Sequence, residues 1–244
     1  YMKKQFKKYG LRSVKHIAAD GRAEDFLTTY KVKIQPFANI HEVLDSGGVA
    51  TAFSHIEAIK SWYHSPNVPV EQYGLFVEDD VTFETVDNWN FTWHNIMENL
   101  PKGWKVVQLS VIKNRDLNDN DMKCEWRCWD NWSAFAYIIT REYAKELIDK
   151  YTCKDQTGNF AAWYDFTLPD NVLPFSENII FGPEREGVYT LPIFTENNQQ
   201  FRSTFYPYFI ETEFKPFQKE SSEFILKWWK DHKNDNQLDK LFKH

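Results

Sequence analysis

Apolar runs of strand length alternate along this chain with stretches of helical spacing, and that alternation limits its possible folds more than any other feature. Residues 73–77 (YGLFV), 104–110 (WKVVQLS) and 132–139 read as buried strands, and 179–181 and 188–191 suggest two short ones. Helix patterns stand between and around them. Residues 2–9 carry one, with Gly10 as its stop. Residues 51–63 carry another, with Phe53, Ile56, Ile59 and Tyr63 at three- and four-residue steps. Residues 88–100 place Trp89, Trp93, Ile96, Met97 and Leu100 on one face, and Pro101 and Gly103 end them. Residues 140–150 point Tyr143, Ala144, Leu147 and Ile148 inward, and 221–232 carry Phe224, Ile225, Trp228 and Trp229. Residues 13–18 (SVKHIA) read as a short strand entering an Asp20-Gly21-Arg22 turn. Residues 24–48 are irregular, punctuated by Pro36 and Gly47-Gly48, and 111–130 form a polar excursion. Such alternation predicts an α/β fold, with a mostly parallel sheet covered by helices on both faces. No repeat or linker divides the 244 residues, so one domain is expected, with 221–244 as a helical extension.

Charge and cysteine usage narrow the function classes. The net charge is −6, and no basic stretch interleaves with aromatics, which argues against a general nucleic-acid surface. Lys3, Lys4, Lys7 and Lys8 fit the solvated face of a first helix. No apolar run reaches the roughly 18 to 20 residues that span a bilayer. Three cysteines without a leader point to a reducing, cytoplasmic location, although Tyr1 is not an initiator Met and an upstream segment remains open. Cys124 and Cys128 fit no common zinc spacing and read as isolated thiols. Ten Trp, 12 Tyr and 20 Phe are mostly core, with a surplus available to line a cleft.

The chemistry concentrates behind residues 73–77, where the apolar run ends in Glu78-Asp79-Asp80. Ligands of open α/β sheets bind beyond the carboxyl ends of strands. Three adjacent carboxylates repel one another unless they are solvated or meet a cation. Their hard oxygens suit Mg²⁺ or Mn²⁺, which commonly bridge one or two carboxylates to substrate phosphates. The plainer alternative is a solvated acidic turn that caps the next element.

Several ordered segments together resemble glycosyltransferase family 25, which includes bacterial lipooligosaccharide galactosyltransferases and collagen hydroxylysine galactosyltransferases. Ala19-Asp20-Gly21-Arg22 is similar to the family's A-x-DG turn, and 49–60 (VATAFSHIEAIK) to its Ser-His helix, with Ser54-His55 intact. Residues 76–83 (FVEDDVTF) resemble the LEDDxxF segment, 104–110 the strand that follows, and 133–144 (SAFAYIITREYA) the G-x-x-AY-x-I segment. Pro169-Asp170 and 192–203 (PIFTENNQQFRS) stand in the places of a late Asp and a P-x-x-x-Q…S motif. The chain departs from the family in three ways. The usual first strand should precede residues 2–9 and is absent, a Gly-Cys reads Ala50-Thr51, and the Gly before the Ala-Tyr strand is replaced.

The resemblance implies a single-domain, Rossmann-like GT-A architecture with a mixed sheet flanked by helices. It also implies an inverting, Mn²⁺-dependent transfer of a hexose, galactose or glucose, from a UDP-sugar to a hydroxyl on a glycan or protein. The Glu-Asp-Asp run is then a DXD-like motif. Asp80 is the direct metal ligand, Glu78 shares its side and contacts metal or ribose, and Asp79 alternates to the other face or caps the turn. Asp20, Gly21 and Arg22 hold the nucleotide or form a plain turn, and His55 touches donor phosphate or a carboxylate, or merely packs. Gln199, Gln200 and Ser203 supply late polar contacts to donor or metal. An acceptor hydroxyl needs a base, for which Asp170 comes first and Asp165 second. Trp126, Trp129 and Trp132 either stack sugar rings beside an acceptor loop or belong to the core. A catalytically inactive sugar- or partner-binding module is the alternative. A metal-dependent phosphotransferase would need a second metal set, for which no His-Asp cluster is visible.

Overall fold

The computed structural model describes residues 2–11, 15–21, 25–34, 46–66, 73–113, 115–128, 130–154, 160–169, 172–182, 186–196 and 215–243. The architecture is mixed α/β. In chain order the helices are α1 (Met2–Lys8), α2 (Phe26–Thr29), α3 (Ser46–Tyr63), α4 (Trp93–Asn99), α5 (Arg141–Tyr151), α6 (Ser176–Phe181), α7 (Lys215–Asp231) and α8 (Gln237–Phe242). The strands are β1 (Val32–Lys33), β2 (Tyr73–Val77), β3 (Val81–Thr82), β4 (Val106–Gln108), β5 (Glu125–Trp126), β6 (Ala136–Thr140), β7 (Thr152–Lys154), β8 (Phe160–Asp165), β9 (Val188–Thr190) and β10 (Thr195–Glu196).

Five strands form the main sheet in the order β2-β6-β4-β9-β5. Within it only β4 and β9 pair in parallel; β2–β6, β4–β6 and β5–β9 are antiparallel. The expected mostly parallel sheet is therefore corrected to a mixed one. Apolar runs report burial on both faces and carry no information about direction. Because β6 runs against both of its neighbours, β2, β4 and β9 still point the same way, and their carboxyl ends share one edge. A smaller sheet has the order β1-β8-β7, and β3 and β10 form a two-stranded ribbon.

Both faces of the main sheet are covered. Successive residues of a strand face opposite sides, and Val106, Ile139 and Val188 belong to one buried cluster while their neighbours Val107, Ile138 and Tyr189 belong to the other. The first cluster takes Ile56 and Ile59 from α3, Leu147 and Ile148 from α5, and Ile179 and Ile180 from α6. The second takes Ile96 from α4, Ile225, Trp228 and Trp229 from α7, and Leu241 from α8. The two C-terminal helices thus form part of a core. Removing the fully buried Trp229 ring would cost about 3–5 kcal/mol.

Several boundaries differ from the sequence expectation. Residues 179–181 are the end of a helix; with every side chain of Ile179, Ile180 and Phe181 buried, an apolar run has no periodicity to separate helix from strand. Helix α3 begins at Ser46 and runs through Gly47-Gly48. Gly48 is required there because a Cβ would lie 2.8 Å from the Phe175 ring. The pattern at 88–100 splits into a 3₁₀ turn, Glu84–Asn88, and α4, which Thr92 and Asn95 begin with a reciprocal capping box. The residues between them place Trp89 against Phe91, Phe194 and Trp229. Residues 15–18 form no strand; Lys15, His16, Ile17 and Ala18 are exposed. Residues 24–48 hold α2 and β1, and 111–130 hold a 3₁₀ turn, Asp119–Met122, and β5; the other matches are close, with β4, β6 and β9 each shorter than the run that announced it and α7 starting earlier.

Candidate functional site

Strand β2 delivers Glu78 to the shared carboxyl edge. All five of its residues pair with β6, from Tyr73↔Thr140 to Val77↔Ala136. One residue further, the Glu78 N–H donates to the Phe135 carbonyl at 2.7 Å. Glu78 Oε1 lies 3.0 Å from His55 Nε2, and His55 Nδ1 lies 2.9 Å from the Tyr137 hydroxyl. Burial, then the nearby Glu78 charge, pushes the Tyr137 phenol well above its ordinary value. The phenol therefore keeps its proton, and the imidazole bridges the Tyr137 hydroxyl and the Glu78 carboxylate through its two ring nitrogens. His55 orients a carboxylate rather than merely packing.

The same helix ties in the Ala19-Asp20-Gly21 turn. Ser54 Oγ accepts the Ala19 N–H at 2.9 Å and donates to the Ala50 carbonyl at 2.7 Å. Adjacent residues of α3 thus hold the turn and Glu78. Asp20 is exposed and Gly21 buried, whereas Arg22 lies outside the described residues.

Beyond Glu78 the chain turns, leaving Asp79 exposed and Asp80 half-buried. Glu78 is the second-largest influence on Asp80, after burial. Strand β3 then pairs with β10 in the register Glu196↔Val81, which carries Glu196 to Asp80. Gln5 of α1 staples this ribbon, donating to the Val81 carbonyl and accepting the Phe83 N–H, both at 2.8 Å.

The Asp80 and Glu196 carboxyls meet within hydrogen-bonding range. Yet one oxygen of each, Asp80 Oδ1 and Glu196 Oε2, is buried with no hydrogen-bond partner among the described residues. Two acceptor-only groups facing each other require a proton or a cation between them. Burial, followed by Glu78, raises Asp80; burial, followed by Asp80 itself, raises Glu196 further. Without a cation, the pair retains a proton.

Among the described residues no three His, Cys, Asp or Glu side chains converge as a ready-made metal site. A carboxylate pair with orphaned oxygens nonetheless fits a hard divalent ion that takes its remaining ligands from water and phosphate.

Other expected residues are placed elsewhere. Asp165 ends β8 in the small sheet, where Lys33 Nζ reaches its Oδ2 at 2.9 Å and the Thr167 N–H reaches Oδ1 at 3.0 Å. Burial raises Asp165, but the Thr167 and Lys33 contacts outweigh it and hold the carboxyl below its ordinary value, which weakens it as a base. Asp170, Gln199, Gln200 and Ser203 lie outside the described residues, as does Trp129. Trp126 is 49 % exposed and stacks on Tyr189 at 4.6 Å, while Trp132 is half-buried and bridges to Ile112.

Glu196 and Tyr137 went unrecognised as site residues. The signal for Glu196 was present: a P-x-x-x-Q spacing counted from Pro192 falls on position 196, not on Gln199 or Gln200. No protein-family model, curated protein or solved structure matches the chain. None of its described helices is long and apolar enough to cross a membrane.

Proposed function

We propose that this chain is a metal-dependent, inverting glycosyltransferase of GT-A type, transferring a hexose from a UDP-sugar to an acceptor hydroxyl. The observation that carries this reading is the Asp80–Glu196 pair, two neighbouring carboxyls beside Glu78 at the end of β2, each with one buried oxygen that has no hydrogen-bond partner among the described residues. A structural acidic turn would stay solvated or be capped, whereas these two oxygens are buried on neighbouring carboxyls. The ordered sequence resemblance and the convergence of co-directional strands on one edge support the same reading.

In this reading Asp80 and Glu196 hold the cation, with Glu78 beside them. The bound cation offsets charge on the departing diphosphate. His55 keeps Glu78 in one orientation, so that the carboxylate meets the donor without reorganising. The turn at Asp20-Gly21, fixed by Ser54, offers a hydrogen-bonding carboxylate to a ribose hydroxyl. Asp79 faces water and closes the turn.

A donor panel tests the proposal: UDP-glucose, UDP-galactose and their N-acetyl forms, scored by release of UDP. One donor is expected to release UDP with Mn²⁺ present and to stop when the ion is chelated. Binding without release would leave a sugar-binding module, and neither binding nor release would remove the reading.

A further inference from the structure

Inverting transfer needs a carboxylate that takes the acceptor proton across the sugar from the diphosphate. Asp165 is engaged by Lys33 and Thr167 in the small sheet. A different carboxylate stands at the carboxyl edge, that of Glu177 in the first turn of α6.

Glu177 Oε1 accepts the Ser133 N–H at 3.3 Å, and Oε2 accepts the Ser176 hydroxyl at 3.4 Å. Both contacts are long, and a carboxylate has about four lone-pair sites, so each oxygen keeps room for a proton. Ser133 begins a three-residue segment whose last carbonyl, on Phe135, accepts the Glu78 N–H. The side chain of Glu177 and the backbone of Glu78 are thus tied to opposite ends of one three-residue segment at the same edge. Behind Glu177 lies the largely buried Arg127, whose guanidinium sits 4.7 Å over the Phe181 ring and donates to Gln108 Oε1 and the Asn131 carbonyl. Its charge interacts with Glu177.

We propose that Glu177 is the general base, an assignment that rests on the glycosyl-transfer reading above. The acceptor hydroxyl oxygen forms its bond to the anomeric carbon as the carbon–oxygen bond to the diphosphate breaks. The bonding pair leaves with the diphosphate, and the hydroxyl proton passes to the Glu177 carboxylate. No other reactant is needed.

The test uses the full chain, Mn²⁺ and the UDP-hexose active in the donor panel, with water as acceptor and UDP release as the readout. Glu177→Gln is expected to lower release by about 10²-fold or more. UDP–Mn²⁺ affinity should stay within about twofold, and Glu177→Asp should recover part of the rate. Release within a few-fold of wild type overturns the assignment, and loss confined to Asp170→Asn transfers the role to Asp170. Loss of UDP–Mn²⁺ binding in both Glu177 variants, or their failure to fold, makes Glu177 a structural residue and also overturns it. A wild-type chain that neither binds UDP–Mn²⁺ nor releases UDP overturns the glycosyl-transfer reading itself.

Discussion

Ser133 holds φ at +97°, a conformation that favours glycine and strains other residues. It is the position at which the resembled family has Gly. Four hydrogen bonds keep it there: Oγ meets Ser110 Oγ and the Phe135 N–H, both at 3.1 Å, the carbonyl accepts from Gln108 Nε2 at 2.7 Å, and the N–H reaches Glu177. Ser133→Ala keeps the strain and loses the hydroxyl bonds, so urea unfolding should show a loss of about 1–3 kcal/mol. Ser133→Gly relieves the strain and should cost clearly less; equal losses would contradict this account. Asp121 is a second residue whose surroundings fix its behaviour. Its side chain is 4 % exposed and takes Lys113 Nζ, 3 % exposed, at 2.7 Å, together with two guanidinium contacts from Arg115. Burial raises the carboxyl, but Arg115, Lys113 and the Asn118 N–H outweigh it and lower it to about 2. A depressed folded pKa gives stability that is present above the unfolded value, about 3.9, and lost as pH falls toward 2. That contribution is about 2 kcal/mol. Asp121→Asn should abolish it and cost about 3–5 kcal/mol at pH 7, because Lys113 is left buried and unpaired. Urea unfolding at several pH values between 2 and 7 checks both statements; a variant that keeps the wild-type acid dependence would refute them.

Elements were legible wherever one face met water or a stop signal stood at the end. Helix α5 starts within one residue of the expected position 140, with Thr140 as its cap, and α1 ends before Gly10 at φ +67°. Legibility failed where burial was complete, as at Ile179–Phe181, and where a glycine pair serves packing rather than a turn, as at Gly48 against Phe175. Strand direction was not legible, since Ala136–Thr140 carries the same apolar pattern whichever way it runs. The site divided along the same line. Glu78 and Asp80 stand close in sequence at one strand end, and the chain brings them together with Asp79 exposed, by a turn rather than by the expected extended alternation. Glu196 joins them through the β3–β10 ladder, a pairing between segments more than a hundred residues apart that no local pattern announces. His55 lies one residue from the Ser54 that fixes the early turn, so α3 couples two parts of the site that are distant in the chain.

At the scale of the molecule, two cores fix the faces of the main sheet, and unpartnered buried oxygens of Asp80 and Glu196 stand at its carboxyl edge. The raised carboxyls at Asp80 and Glu196 mean that ionising this edge opposes folding, so a cation arriving with a diphosphate should relieve the repulsion and stabilise the chain. By mass action the gain is about 2.7 kcal/mol when free ligand is a hundredfold above its Kd. The decisive measurement is a calorimetric titration of Mn²⁺, with UDP present, into the wild type, Asp80→Ala and Asp79→Ala. The account predicts that wild type and Asp79→Ala bind within a few-fold of each other, and that Asp80→Ala keeps its fold but loses about tenfold or more in affinity. Metal binding retained by Asp80→Ala and lost by Asp79→Ala, or absent from the wild type, would contradict it.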